Sequence, residues 1–108
     1  MSGLLAARLE ASRPVAAICG ATLALAFAGL LDRRPHTSNG LAFLQDHAAT
    51  YAGQAHYRQD KVVSADGLIT APGTSPVGFA CACLDLLHPE QADRVAQLRA
   101  MFAGEFAP

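Results

Sequence analysis

The chain has 108 residues and a mass of 11.2 kDa, about the size of one compact unit, which excludes a multidomain machine. Hydrophobic residues make up 52% and charged residues 16%, a balance that excludes a disordered tail and points to a core with little polar surface around it. A net charge of −1 and a pI near 6.4 supply no field that could hold a nucleic-acid backbone or an anionic membrane surface. The cysteines Cys19, Cys81 and Cys83 are odd in number, and the last two are too close in a helix or strand to bridge comfortably, so a reduced, cytoplasmic chain fits best.

In chain order, Leu4 to Ala11 places apolar residues at helical spacing and stops at Arg13-Pro14, where the residue before proline is pushed out of the α region. The uncharged run from Pro14 to Leu31 could be read as a signal or anchor. Its interior is mostly alanine with Gly20, Thr22 and Gly29, its length is at the lower limit of a membrane span, and Glu10 lies in what would be a basic leader. The preferred reading splits the run into a strand buried on both faces, Val15 to Cys19, and a helix from Ala21 to Leu30 that packs back on it, with no membrane role.

Asp32 to Pro35 then reads as a polar turn, His36-Thr37-Ser38 as a short strand ending at the turn signal Asn39-Gly40, and Leu41 to Ala49 as a helix with Leu41, Phe43 and Leu44 inward. The β-branched runs Lys61 to Ala65 and Leu68 to Ala71 flank Asp66-Gly67, the strongest hairpin signal in the chain. Thr74-Ser75-Pro76 opens a helix through Leu87, with Thr74 or Ser75 as N-cap. Pro89 starts a last amphipathic helix with Ala92, Val95, Ala96, Leu98 and Phe102 inward. The order α-β-α-β-α-β-β-α-α is a layered α/β pattern without internal repeats.

Cys19 is the strongest candidate for chemistry. It closes a strand and precedes a helix whose N-terminal amides can stabilise a thiolate, and Gly20 permits the sharp turn. This is the logic of a nucleophile elbow, written here as Ala17-Ile18-Cys19-Gly20-Ala21; the competing reading is a small cysteine used for packing. Cys81 and Cys83 read as core or half-buried thiols in an alanine-rich helix. A cysteine nucleophile normally needs a histidine. Of His36, His47, His56 and His88, only His36 lies at a strand end from which it could reach Cys19; His47 and His56 read as surface residues, and His88 as a helix C-terminal residue that favours the dipole. Asp66 reads as a turn residue and Asp60-Lys61 as a solvated pair. No metal-ligand spacing and no cofactor motif is visible.

Three blocks, VAAICGATLALAFAGLLD, HTSN and YRQDKVVSADGLITAPGTSPVGFA, stand in an order and spacing that resemble the C-terminal half of a ThiJ/PfpI family protein, within the class I glutamine amidotransferase-like superfamily. The resemblance runs from about Leu4 to Leu87, leaving residues 89–104 as an additional C-terminal helix of a single, partial domain. It implies an incomplete flavodoxin-like three-layer sandwich, a tendency to dimerise, and a cysteine-dependent hydrolase, peptidase or glyoxalase-like ancestry acting on small-molecule or peptide-like substrates. By the same resemblance Cys19 is the elbow cysteine, and the Gly20 amide can help form an oxyanion site.

Two departures accompany the resemblance. Many members place a histidine after the threonine of the strand following the elbow helix, in a T-x-H or T-H-P setting, whereas Thr37 is followed by Ser38 and Asn39. His36, one residue ahead of Thr37, is then a substitute candidate for the catalytic partner of Cys19. The late His-x-Glu pair of true amidotransferases is missing from the helix at Thr74 to Val77, so glutamine hydrolysis is not expected. The family's N-terminal half, with an acidic residue that contacts the elbow cysteine in many members, has no counterpart here. The Val15 to Cys19 strand is therefore expected to leave an open edge, which means that a second copy or a partner chain covers it, that the start at Met1 truncates a longer protein, or that the sequence is a decaying gene copy. A non-enzymatic remnant or oligomerising module is the alternative to a cysteine site.

Overall fold

In the computed structural model, which describes residues 2–106, the first helix, α1 (Ser2–Glu10), ends because Ser12 takes a left-handed φ of +60°. The amides of Ser12 and Arg13 turn back to the carbonyls of Leu9 and Arg8, and the Arg8 guanidinium donates to the Pro14 carbonyl, which carries the chain into β1 (Val15–Ile18). A short 3-10 turn over Cys19–Ala21 leads into α2 (Thr22–Phe27). That helix is shorter than its apolar run suggests. Gly29 adopts φ +74°, and the amides of Gly29 and Leu30 return to the carbonyls of Ala26 and Leu25, a glycine-terminated helix end. The run from Pro14 to Leu31 is thus divided, and among the described residues no helix is long and apolar enough to cross a membrane.

The expected strand at His36-Thr37-Ser38 is a single parallel bridge between His36 and Tyr57. Side chains compete with strand pairing here, for the Thr37 amide donates to the Thr70 hydroxyl instead of to a strand carbonyl. Helix α3 (Leu41–His47) follows, and then the hairpin β2 (Val63–Ala65) and β3 (Leu68–Ala71). Asp66 and Gly67 have φ of +53° and +77°, the twin positive angles that a two-residue hairpin turn of the I′ type requires. Helix α4 (Pro76–Leu87) begins with Ser75 at its N-cap and proline in its first turn. Helix α5 (Ala92–Met101) buries Val95 and half-buries Leu98, whereas Ala92, Ala96 and Phe102, expected inward, are exposed.

The sheet has the order β1-β3-β2, with β1 parallel and β2 antiparallel to β3. Alternate residues of a strand face opposite ways. Val15 and Ala17 of β1 with Leu68 of β3 face one side, where Leu25, Ala26, Leu31, Leu44 and Tyr51 complete the main core. All four residues of β3 are buried, as suits a central strand between two helical layers. In β1 the expectation of burial on both faces fails: Val15 and Ala17 are buried, Ala16 is exposed and Ile18 half-buried, because β1 is an edge in this sheet. The architecture is α/β and matches part of a flavodoxin-like fold.

Candidate active site

The expected strand end at Cys19 is displaced by one residue. Cys19 lies beyond Ile18 in the turn toward α2 and takes a φ of +57°. A left-handed conformation costs a residue with a Cβ roughly 1–2 kcal/mol, so it persists only where its surroundings over-determine it. On one side Ile18 is held in register with Ala71 of β3. On the other, the Thr22 hydroxyl donates to the Cys19 carbonyl at 2.7 Å. That bond uses the single hydroxyl proton of Thr22, so at the 2.7 Å contact between Thr22 Oγ1 and Ser38 Oγ the serine is the donor. Thr22 and Ser38 are both buried, and the clamp ties the elbow to the chain that follows α2. The Cys19 thiol itself is exposed, with the exposed Gly20 next to it at the head of the turn.

Asn39 is the side chain hydrogen-bonded to that thiol. Its Nδ2 donates to Cys19 Sγ at 3.3 Å, and its Oδ1 accepts the Gly73 amide at 2.8 Å. Gly73 sits close under the sulphur. A Cβ built on it would stand 3.0 Å from Sγ and 3.3 Å from the Cys19 Cβ, so glycine at this point of the loop between β3 and α4 lets the sulphur approach closely. Beside this trio lies a cavity of about 310 Å³, bordered by Ser38, Asn39, Tyr57, Pro72, Thr74 and Glu105 among others. Glu105 reaches in from the C-terminal segment and caps α4, its carboxylate accepting the amides of Val77 at 2.9 Å and Gly78 at 2.6 Å.

His36, the candidate partner of Cys19, is placed elsewhere. It is wholly buried, with Nδ1 2.7 Å from the Arg34 carbonyl and Nε2 2.7 Å from the Tyr51 hydroxyl. A carbonyl only accepts, which fixes the proton on Nδ1 and makes the tyrosine the donor to Nε2. The rings of Tyr51 and Tyr57 meet the imidazole edge-on, with centroids 5.6 and 5.7 Å away. Burial lowers the pKa of His36 and, with help from Tyr57 and Asp32, pushes that of Tyr51 up to about 12. Both ring nitrogens are committed, and among the described residues no histidine or carboxylate is hydrogen-bonded to Sγ. The requirement that brought His36 forward, a strand end near Cys19, does not bring the two together, because the segment turns its imidazole into the core.

The other thiols and histidines differ in kind from the elbow residues. Cys81 is buried and Cys83 half-buried on α4, and burial pushes both thiols up. His47 and His56 are exposed, His47 leaning on the Phe43 carbonyl, and His88 at the end of α4 pairs with Glu90 at 3.0 Å. Among the described residues no group of three or more metal-ligating side chains is gathered. Asn39, Gly73, Thr22 and Ser38 frame the candidate site, and residue type and spacing alone do not single them out. The signal was there for Asn39, which stands two residues after Thr37, in the slot where the family resemblance expects a histidine.

A strand, a left-handed cysteine and a helix at the edge of an α/β sheet define a flavodoxin-like protein with a cysteine elbow. Residues 4–86 match the DJ-1/PfpI family, and the chain belongs to that family. It is similar to two Bacillus subtilis (strain 168) proteins: 42% identical over 79 residues to the uncharacterized protease YoaZ, and 31% over 88 residues to the uncharacterized protease YdeA. Those alignments cover 73% and 82% of this chain but 38% and 44% of the relatives, so the chain spans less than half of their length. Among solved structures, a ThiJ/PfpI family protein from Bacillus anthracis superposes with a TM-score of 0.75 at 40% identity, over 78% of this chain and 40% of that one. A DJ-1 superfamily protein from Agrobacterium tumefaciens gives 0.79 at 36% identity, over 94% of this chain and 55% of that one.

Proposed function

We propose that the chain carries a cysteine-nucleophile site of the hydrolase, peptidase or glyoxalase-like kind, in which Cys19 Sγ adds to the carbonyl carbon of a small or peptide-like substrate. The addition forms an S–C bond, the π electrons of the carbonyl move to its oxygen, and the Gly20 amide is the donor that meets that oxygen. The observation that carries this reading is the left-handed Cys19, held at φ +57° by buried contacts while its sulphur stays exposed. A packing cysteine has no use for such a backbone, whereas a nucleophile does, because the turn lifts the side chain clear of the sheet. The protease names of the two relatives support it. The free thiols fit a reducing, cytoplasmic setting.

Iodoacetamide near neutral pH, followed by peptide mass spectrometry of the native protein, tests this directly. Cys19 is expected to label first, with Cys83 and then Cys81 lagging. Labelling of Cys83 at the rate of Cys19 rejects the reading.

A second reading, association through the open sheet edge, rests on a separate observation. Strand β1 has no neighbour on its outer side among the described residues, and Leu4 of α1 and Phe27 of α2 are 63% and 57% exposed. An unpaired edge, together with exposed apolar side chains elsewhere on the molecule, favours a second copy or a partner chain. Light scattering coupled to size exclusion distinguishes the cases: a monomer at tens of micromolar removes self-association.

A further inference from the structure

We infer that Asn39 is the residue that sets the state of the Cys19 sulphur, as a fixed hydrogen-bond donor to the thiolate and not as a base. The inference rests on the cysteine-site reading above. Its argument begins with Gly73, whose backbone amide can only donate. Because that amide lies 2.8 Å from the Asn39 side chain, the atom facing it must be Oδ1, and the NH2 end is thereby turned to Sγ at 3.3 Å. The orientation of the amide is therefore dictated by the loop between β3 and α4, and does not adapt to the sulphur. Gly73 also keeps the sulphur near, since any side chain there would occupy the space 3.0 Å from Sγ.

Two consequences follow for the chemistry of the thiol. A carboxamide nitrogen has no lone pair available to take a proton, so the proton leaving Sγ passes to solvent, which the exposure of Cys19 allows. The N–H···S bond strengthens when the sulphur becomes negative, as hydrogen bonds to charged acceptors do. Asn39 thus acts on the reacting atom in a way that differs from its other bond, the anchoring of Gly73. The two bonds can be separated by substitution. Asn39→Asp keeps an oxygen acceptor for the Gly73 amide, removes the donor and puts a negative charge beside the sulphur. Asn39→Ala removes both bonds and adds no charge.

The experiment is the rate of Cys19 alkylation by iodoacetamide from pH 5 to 10, read at the Cys19 peptide by mass spectrometry, with circular dichroism to verify the fold of each protein. N39D is expected to react at least about tenfold more slowly than the parent at pH 7, with its whole pH profile moved to higher pH, and N39A to fall between them. The uncharged N39A decides the matter, since N39D is slowed by its charge in either case: if the amide serves only to anchor the loop, N39A changes the rate uniformly at every pH and keeps the parent's pH midpoint, which overturns the inference. Asn39 is exposed, so the fold should tolerate these changes. Asn39→Ser supplies a second uncharged comparison if one of these variants fails to fold: a pH midpoint above the parent's supports the inference, and a parental midpoint overturns it. Failure of the cysteine-site reading shows separately, as slow labelling of Cys19 relative to Cys83 in the parent protein.

Discussion

Thr22 and Ser38 meet hydroxyl to hydroxyl at 2.7 Å in the buried interior, and through Thr22 the pair reaches the carbonyl of Cys19. Sixteen residues apart in sequence, they join the start of α2 to the segment that presents Asn39. The donor chain runs one way, from Ser38 to Thr22 to the Cys19 carbonyl, and each oxygen in it is satisfied by the one before.

Replacing Thr22 with valine keeps the shape but leaves the Ser38 hydroxyl without its acceptor and takes from the Cys19 carbonyl its side-chain donor, the backbone amide of residue 22 remaining. Urea unfolding is expected to show a loss of about 2–3 kcal/mol. T22V combined with Ser38→Ala should recover part of it, since the orphaned hydroxyl is then gone. Strictly additive losses in the double variant would mean that the two hydroxyls do not depend on each other.

Stability should depend on pH through His36. Burial holds its folded-state pKa below the ordinary 6.5, so the native protein keeps the imidazole neutral while the unfolded chain takes up a proton. The contribution is complete above about pH 6.5 and is lost as the pH falls from there toward the folded-state value, with a slope of at most ~1.4 kcal/mol per pH unit. Urea midpoints between pH 5 and 8 for the parent and for His36→Gln test this, and an unchanged slope in H36Q refutes it.

Glu105 ties the C-terminal segment to the start of α4 through the amides of Val77 and Gly78. Glu105→Ala is expected to cost about 1 kcal/mol, the ordinary cost of losing a helix cap, and Glu105→Gln less, because one amide oxygen can still accept. Thermal unfolding of the two variants gives the order, and an E105A protein as stable as the parent would show that the cap carries no energy.

Most of the element order is legible from short stretches of residues. The Asp66-Gly67 turn, the proline start of α4 and the apolar spacing of α1 are local signals, and local signals specify local conformation. The sequence also singled out Cys19 as the candidate nucleophile, because a cysteine followed by glycine between a strand and a helix is a short-range pattern. The helix end at Phe27 was harder to read. Gly29 was visible, but whether it continues or stops a helix depends on the φ it adopts. The partners of Cys19 were decided by tertiary structure alone. Asn39 lies 20 residues away and Gly73 lies 34 beyond Asn39, so their meeting depends on β1 pairing with β3. The same packing withdrew His36, whose imidazole satisfies both nitrogens in the core beside Tyr51. A residue type and its spacing can propose a base, but only the path of the chain decides which way the side chain faces.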